Sequence, residues 1–213
     1  MLKTERRQRE FQRREMEIID AAIELFRDNE LNTVTIEQIA DAAGIGKGTV
    51  YKHFRSKDEI YARIIILLNR AQRHDIAAID PSLPFQQRLD RIIELIWEHD
   101  MRDSQFLRRL NHHMMGPGFW ENLGTDVQHE FSRLQEEEEH FYTDLLKEAR
   151  QRGEIINAPL EELFFCATAT IDGAILQYWQ LEASGMVSKG DSPRYLRQLQ
   201  QFVYRALSCE STV

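Results

Sequence analysis

Thr35-Ile36-Glu37-Gln38-Ile39-Ala40-Asp41-Ala42-Ala43-Gly44-Ile45-Gly46-Lys47-Gly48-Thr49-Val50-Tyr51-Lys52-His53-Phe54 is the stretch whose reading decides the fold. A threonine with glutamine three residues on makes a capping box, in which each side chain satisfies a backbone N–H that the first helical turn leaves without a partner. A helix is therefore expected to start at Ile36. It turns Ile39, Ala40 and Ala43 inward and stops at Gly44, the residue type that enters the left-handed conformation after a helix end at least cost. A second short helix is expected over about 47–54, with Val50 and Phe54 one turn apart and facing back to the first. Helix, tight glycine turn and helix form the outline of a helix-turn-helix, whose second helix fits the major groove of B-form DNA.

Working outward, Ile18, Ile19, Ala22, Leu25 and Phe26 form the apolar stripe of a core-facing helix over roughly 8–29. Downstream, Ser56-Lys57-Asp58-Glu59 repeats the capping-box pattern and opens a long helix to about Ile79. Glycine and proline cluster at Pro81 to Pro84, Gly116 to Gly118, Gly153, and Gly185 to Pro193, which marks the joints. The segments between them carry apolar residues at three- and four-residue spacing, and strand-like alternation is nearly absent. Helices are expected at about 85–100, 103–115, 119–152, 160–184 and 193–209. The fold class is all-α: a three-helix helix-turn-helix domain at 1–60, with a basic extension at 1–14, and a helical bundle for ligand binding and dimerisation at 61–213.

The 213 residues carry a net charge of −8, which argues against a wholesale nucleic-acid coat, but the basic charge is local. Residues 1–14 hold six basic side chains (Lys3, Arg6, Arg7, Arg9, Arg13, Arg14) against Glu5 and Glu10, and 44–57 hold Lys47, Lys52, Arg55 and Lys57 with no acid. An acidic chain with two basic islands meets a polyanion through those islands and repels it elsewhere. The first island can lie in the minor groove beside the reading helix, or remain a solvated helix extension. Apolar runs such as Ile64 to Leu68 fall far short of a membrane span, and nothing at the N-terminus has the character of an export signal, so a cytoplasmic protein is expected. Cys166 and Cys209 are too few for a disulfide framework or a zinc site.

The run Ile39 to Glu59, including Ala40, Ala43-Gly44, Gly48-Thr49-Val50-Tyr51 and Phe54, closely resembles the signature of the tetracycline-repressor (TetR) family of transcriptional regulators. The resemblance extends from about Ala21-Ala22 through Thr35 to Ile60. It implies a dimeric regulator, more often a repressor, that leaves a palindromic operator when a small molecule binds. From the residues themselves, Thr49, Lys52 and His53 point away from the Val50/Phe54 face and are candidates to meet bases, and Gly46 and Gly48 let backbone approach a phosphate. Tyr51 can offer its hydroxyl to a phosphate; the resemblance implies that role for Tyr51 and also for Thr35, Lys47 and Lys57. Two positions depart from the family pattern. Glu30, after Asn29, stands where a glycine often ends the first helix, and Gly46 stands where serine is frequent, which weakens the cap of the reading helix.

The stretch Leu160 to Leu181 is apolar on more than one face, and the last helix has a stripe at Tyr195, Leu199, Phe202, Val203 and Ala206. Pairing the helices at about 160–184 and 193–209 with their copies buries both surplus faces in a four-helix interface, so a homodimer is expected. By resemblance, an effector binds among the C-terminal helices, with Trp97, Met101, Phe106, Leu110, Met114, Phe119, Trp120, Phe141 and Tyr178 as candidate lining; the same residues also suit a plain core. Two other readings compete. One keeps DNA binding without ligand sensing, as an activator or architectural protein. The other is a metal-dependent oxidase on a helical bundle, prompted by His99, His112, His113, His129 and His140 and by Glu137-x-x-His140. It lacks a second Glu-x-x-His, and Glu136 to Glu139 reads as a solvated face. No nucleophilic triad or phosphate loop is visible, so neither enzyme activity, metal nor cofactor is expected.

Overall fold

A computed structural model describes residues 2–209, with side chains from Glu5 onward; the side chain of Lys3 in the first basic island lies outside them. Among the described residues there are nine α-helices and no strand, as the spacing predicts. They are α1 (Leu2–Asp28), α2 (Ile36–Ala42), α3 (Lys47–His53), α4 (Lys57–Ala77), α5 (Phe85–Arg102), α6 (Ser104–Met114), α7 (Thr125–Gln151), α8 (Leu160–Ala183) and α9 (Ser192–Leu207). The chain divides into two compact units: residues up to Asn69 with Gln105–Phe131, and Arg70–Ser104 with Ser132 onward.

In the first unit α1 packs on α2 and its apolar stripe is buried through Ile18, Ile19, Ala22 and Phe26; Ile39 and Ala40 of α2, Val50 and Phe54 from α3, and Ile60, Tyr61 and Ile64 of α4 are buried in the same unit. Side chains of this size bury roughly 2 kcal/mol each, so the angle between two seven-residue helices is set by this core and not by helix propensity. Phe26 and Tyr61 pack with ring centres 4.6 Å apart, and the Tyr61 hydroxyl donates to the Leu31 carbonyl at 2.6 Å. Burial pushes that hydroxyl well above the usual tyrosine range, so it stays protonated and keeps donating.

In the second unit α5, α8 and α9 pack together through Leu89, Ile92, Ile93 and Trp97, through Leu163, Ile171, Ile175, Tyr178 and Trp179, and through Leu199, Val203 and Leu207. The Trp97 indole donates to Ser192 Oγ at 2.7 Å, so the one polar atom of that ring is satisfied where it is buried. The chain leaves α7 through Gly153, whose φ of 72° lies in the left-handed region, and closes against α9 by a single bridge between Ile155 and Ser208.

Helix boundaries differ from the sequence reading in three places. The first helix begins at Leu2, not near residue 8, so the described part of the basic extension is helical. The helix expected at 119–152 begins at Thr125 instead. Gly118 takes a φ of 84° and Gly124 carries no Cβ in a spot crowded by Asp126 and Arg55, so Phe119–Gly124 turns before the helix can start. The long helix expected to about Ile79 ends at Ala77.

Candidate nucleic-acid interface

The capping box at the start of α2 is present in both directions: Gln38 N–H donates to Thr35 Oγ1 at 3.2 Å, and Thr35 N–H donates to Gln38 Oε1 at 2.8 Å. At the other end Gly44 has a φ of 66° and Ile45 N–H reaches back to the Ala40 carbonyl at 2.9 Å, which makes the tight turn. Gly46 precedes α3 without a side-chain cap, as its lack of a hydroxyl dictates. Val50 and Phe54 are fully buried, so α3 is pinned by one face and offers the other. On the offered face Gly46, Lys47, Gly48, Tyr51 and Lys52 are exposed, and Thr49 and His53 are half-buried.

The basic island at 44–57 is less uniform in space than in sequence. The Lys47 ammonium is held by Glu37 of α2 and lies 5.9 Å from the Tyr51 ring centre. Its hydrogen bond to Glu37 lowers the carboxyl's pKa and raises that of the lysine, so both stay charged. The Lys57 ammonium donates to the carbonyls of Leu31 at 3.0 Å and Val34 at 2.9 Å and lies over the Tyr61 ring, and burial lowers its pKa. It ties the loop between α1 and α2 to α4. His53 stacks on Phe11 of α1 with ring centres 4.0 Å apart; burial, and then Arg14 and Lys52, push its pKa down. Lys52 remains on the exposed face with Tyr51 beside it.

Other fastenings of this platform come from residues too far apart in sequence to be paired by reading. Glu59, buried, accepts from the Arg55 backbone N–H at 2.6 Å while its own N–H donates to Ser56 Oγ at 3.1 Å. The second capping box therefore has its return bond displaced by one residue. Asp58 accepts from Asn122 Nδ2 at 2.8 Å and pairs with His113 Nε2 at 2.7 Å. Arg109 donates to the carbonyls of Phe26 and Arg27 at 2.9 and 2.8 Å, and Asn29 Nδ2 donates to the Leu25 carbonyl at 2.8 Å. These donors finish α1 without a left-handed residue, which resolves how Asn29-Glu30 stands in for the usual glycine; no described residue other than glycine has a positive φ.

The nine candidate effector residues divide between the units. Phe106, Leu110 and Phe119 are buried in the first, where Met114 is half-buried and Trp120 exposed. Trp97 and Tyr178 are buried in the second, in edge-to-face contact at 5.1 Å, with Met101 half-buried. Phe141 lines a cavity of about 260 Å³ in the second unit, together with Arg70, Arg73, His74, Leu134 and Tyr142. On α5, burial and then Asp172 push the Asp100 carboxyl up to about 7. Among the described residues no three His, Cys, Asp or Glu gather as a metal site, and no helix is long and apolar enough to cross a membrane. His140 is exposed and near Asp144 at 3.9 Å.

Residues 18–64 match the family model described as bacterial regulatory proteins, tetR family. The uncharacterised HTH-type transcriptional regulator YhgD of Bacillus subtilis is 33% identical over 82 residues, 38% of this chain and 43% of that protein. The HTH-type transcriptional repressor KstR2 of Rhodococcus jostii is 42% identical over 52 residues, 24% and 26% of the two chains. The chain thus spans less than half the length of these curated relatives. Over nearly the whole chain the fold is similar to that of NalD, the secondary repressor of the MexAB-OprM multidrug efflux pump in Pseudomonas aeruginosa, with a TM-score of 0.68, 18% identity, and 94% of this chain and 99% of that one covered.

Proposed function

We propose that this chain, whose residues 18–64 match the family model of bacterial regulatory proteins, tetR family, is a sequence-specific DNA-binding transcriptional regulator, acting as a repressor in the cytoplasm. The observation that carries this reading is α3, pinned by Val50 and Phe54 and presenting Tyr51, Lys52 and Thr49 on its outer face. A helix so held enters the major groove with its reading face fixed, while lysine and tyrosine contacts to phosphate set its register.

Dimerisation is the second part of the proposal. On α8 Phe165 is 70% and Leu176 43% exposed, and on α9 Phe202 is 64% exposed. Three large apolar side chains left in water on two neighbouring helices are covered when α8 and α9 meet their copies, and a two-fold pair presents two α3 helices to half-sites roughly 34–36 Å apart. The cavity beside Phe141 and Tyr142 is where a small-molecule effector is proposed to enter, and its binding releases the operator. No enzymatic step is part of this reading.

The test is selection of bound sequences from random duplex DNA by the purified protein, with its mass in solution measured alongside. A palindromic consensus bound by a dimer is expected. Binding with no sequence preference would favour an architectural role, and release of the selected DNA by no small molecule would remove the effector.

A further inference from the structure

The described part of the basic N-terminal segment is a helix continuous with the core of the first unit, since α1 runs unbroken from Leu2 to Asp28. Residues 5–13 are exposed all round, and they include Arg6, Arg7, Arg9 and Arg13 against Glu5 and Glu10. A solvated helix end of this kind is ordinarily free to fray. Here one side chain ties it down: Phe11, 46% exposed, lies parallel to the imidazole of His53 with ring centres 4.0 Å and planes 30° apart. His53 is the last residue of α3, so the stack joins the basic stretch of α1 directly to the helix proposed to enter the groove.

The charge around that stack has one sign. Arg7 and Arg14 stand four residues before and three after Phe11, on the same side of α1. Burial, and then Arg14 and Lys52, disfavour a proton on His53, so the imidazole sits in the field of cations from both helices. Arg14 is itself steadied by Glu17 at 2.7 Å. A surface that brings arginines of one helix beside a lysine of another, with an aromatic clamp between them, suits a row of phosphates better than any partner read by shape, because each guanidinium takes a phosphate oxygen pair and none needs a fixed base. At 1.5 Å per residue, Arg7 stands about 6 Å beyond Phe11 along the helix.

We propose that the Phe11–His53 stack fuses the basic turns of α1 and the reading helix into one DNA-facing surface, in which Arg7 and Arg14, on the Phe11 side of α1, meet backbone phosphates flanking the half-site. His53 is then a positioning residue that acts through Phe11, and it does not read a base. This rests on the DNA-binding reading above and adds to it a wider footprint whose outer part is blind to sequence.

The experiment compares wild type with three sets of variants on the selected operator: Arg7→Gln/Arg14→Gln together, Phe11→Ala and His53→Ala, and the stack-preserving His53→Phe. Affinity is measured against salt, the footprint by backbone cleavage, and base preference by repeating the selection. Loss of two phosphate contacts lowers the log K against log salt slope by roughly 2 and affinity about 10- to 100-fold at physiological salt. The double variant is expected to do this, to shorten the footprint at both outer flanks and to keep the selected sequence. Phe11→Ala and His53→Ala shift slope and footprint the same way, whereas His53→Phe keeps both near wild type. An unchanged slope and footprint in the double arginine variant overturns the proposal, and so does an altered base preference in His53→Phe. The arginine pair tests the surface even where a stack variant misfolds. Wild-type protein that binds no duplex at all removes the underlying DNA-binding reading as well, an outcome distinct from wild-type binding that the double variant leaves intact.

Discussion

Glu37 of α2 holds the ammonium of Lys47, the first residue of α3, so the leading cation of the reading helix is neutralised within the protein before any DNA arrives. Both side chains are solvent-facing, and a phosphate must compete with Glu37 for that ammonium. Glu37→Gln is therefore expected to tighten binding to operator and to random DNA alike, by roughly threefold, and to steepen the salt slope by about one. Titration of both DNAs at several salt concentrations checks this. Weaker binding by the variant would mean that Glu37 serves the complex and does not hold it back.

Thr35 carries the local folding claim. Its hydroxyl accepts from Gln38 N–H, and its removal leaves an orphan donor at the start of α2. Thr35→Ala is expected to destabilise the protein by about 1 kcal/mol, and Thr35→Ser by much less, in thermal or denaturant unfolding.

Tyr51 and Thr49 separate positioning from reading. Tyr51→Phe is expected to weaken binding to all sequences equally, since a phosphate contact is blind to base, whereas Thr49→Ala changes preference at particular positions of the selected site. Equal, sequence-blind losses from both would put the reading face elsewhere on α3.

Asp100 gives a dependence on pH. Its folded-state pKa is raised from 3.8 to about 7, chiefly by burial and then by Asp172, so the folded chain holds a proton that the unfolded chain has released. Stability from that proton is present below the unfolded value and is lost as pH rises from about 4 through about 7. Asp100→Asn is therefore expected to stabilise the protein at pH 8, by up to about 4 kcal/mol, and to give no gain near pH 4. Unfolding curves at the two pH values measure it, and an equal effect at both would refute the cause.

What could be read from sequence was what is local. The Thr35 box, the stop at Gly44 and the inward Val50/Phe54 pair each depend on residues within a turn or two, and each is where the spacing puts it. Fastenings that cross the sequence left no trace in it: Arg109 on the last carbonyls of α1 and His113 on Asp58 join positions 55 to 83 residues apart. Charge was legible as a sum and not as an arrangement. Lys57 and Lys47 count equally in the basic island, yet one ammonium is spent on carbonyls and the other on Glu37. The late start of α7 was missed because Phe119 and Trp120 continue a helical apolar pattern across a turn that the backbone of Gly118 and Gly124 requires. Aromatic and methionine spacing does not separate a cavity wall from a core, and several of the effector candidates are core.

The central claim is that a pinned α3 reads duplex DNA from each half of a dimer. Its most direct test is a gel-retardation titration of the folded, purified protein against DNA selected from a random pool, repeated with excess scrambled duplex. A single retarded complex that scrambled DNA fails to displace, on a site with two inverted half-sites, is the result expected; folded dimeric protein that retards no DNA at low ionic strength would contradict it.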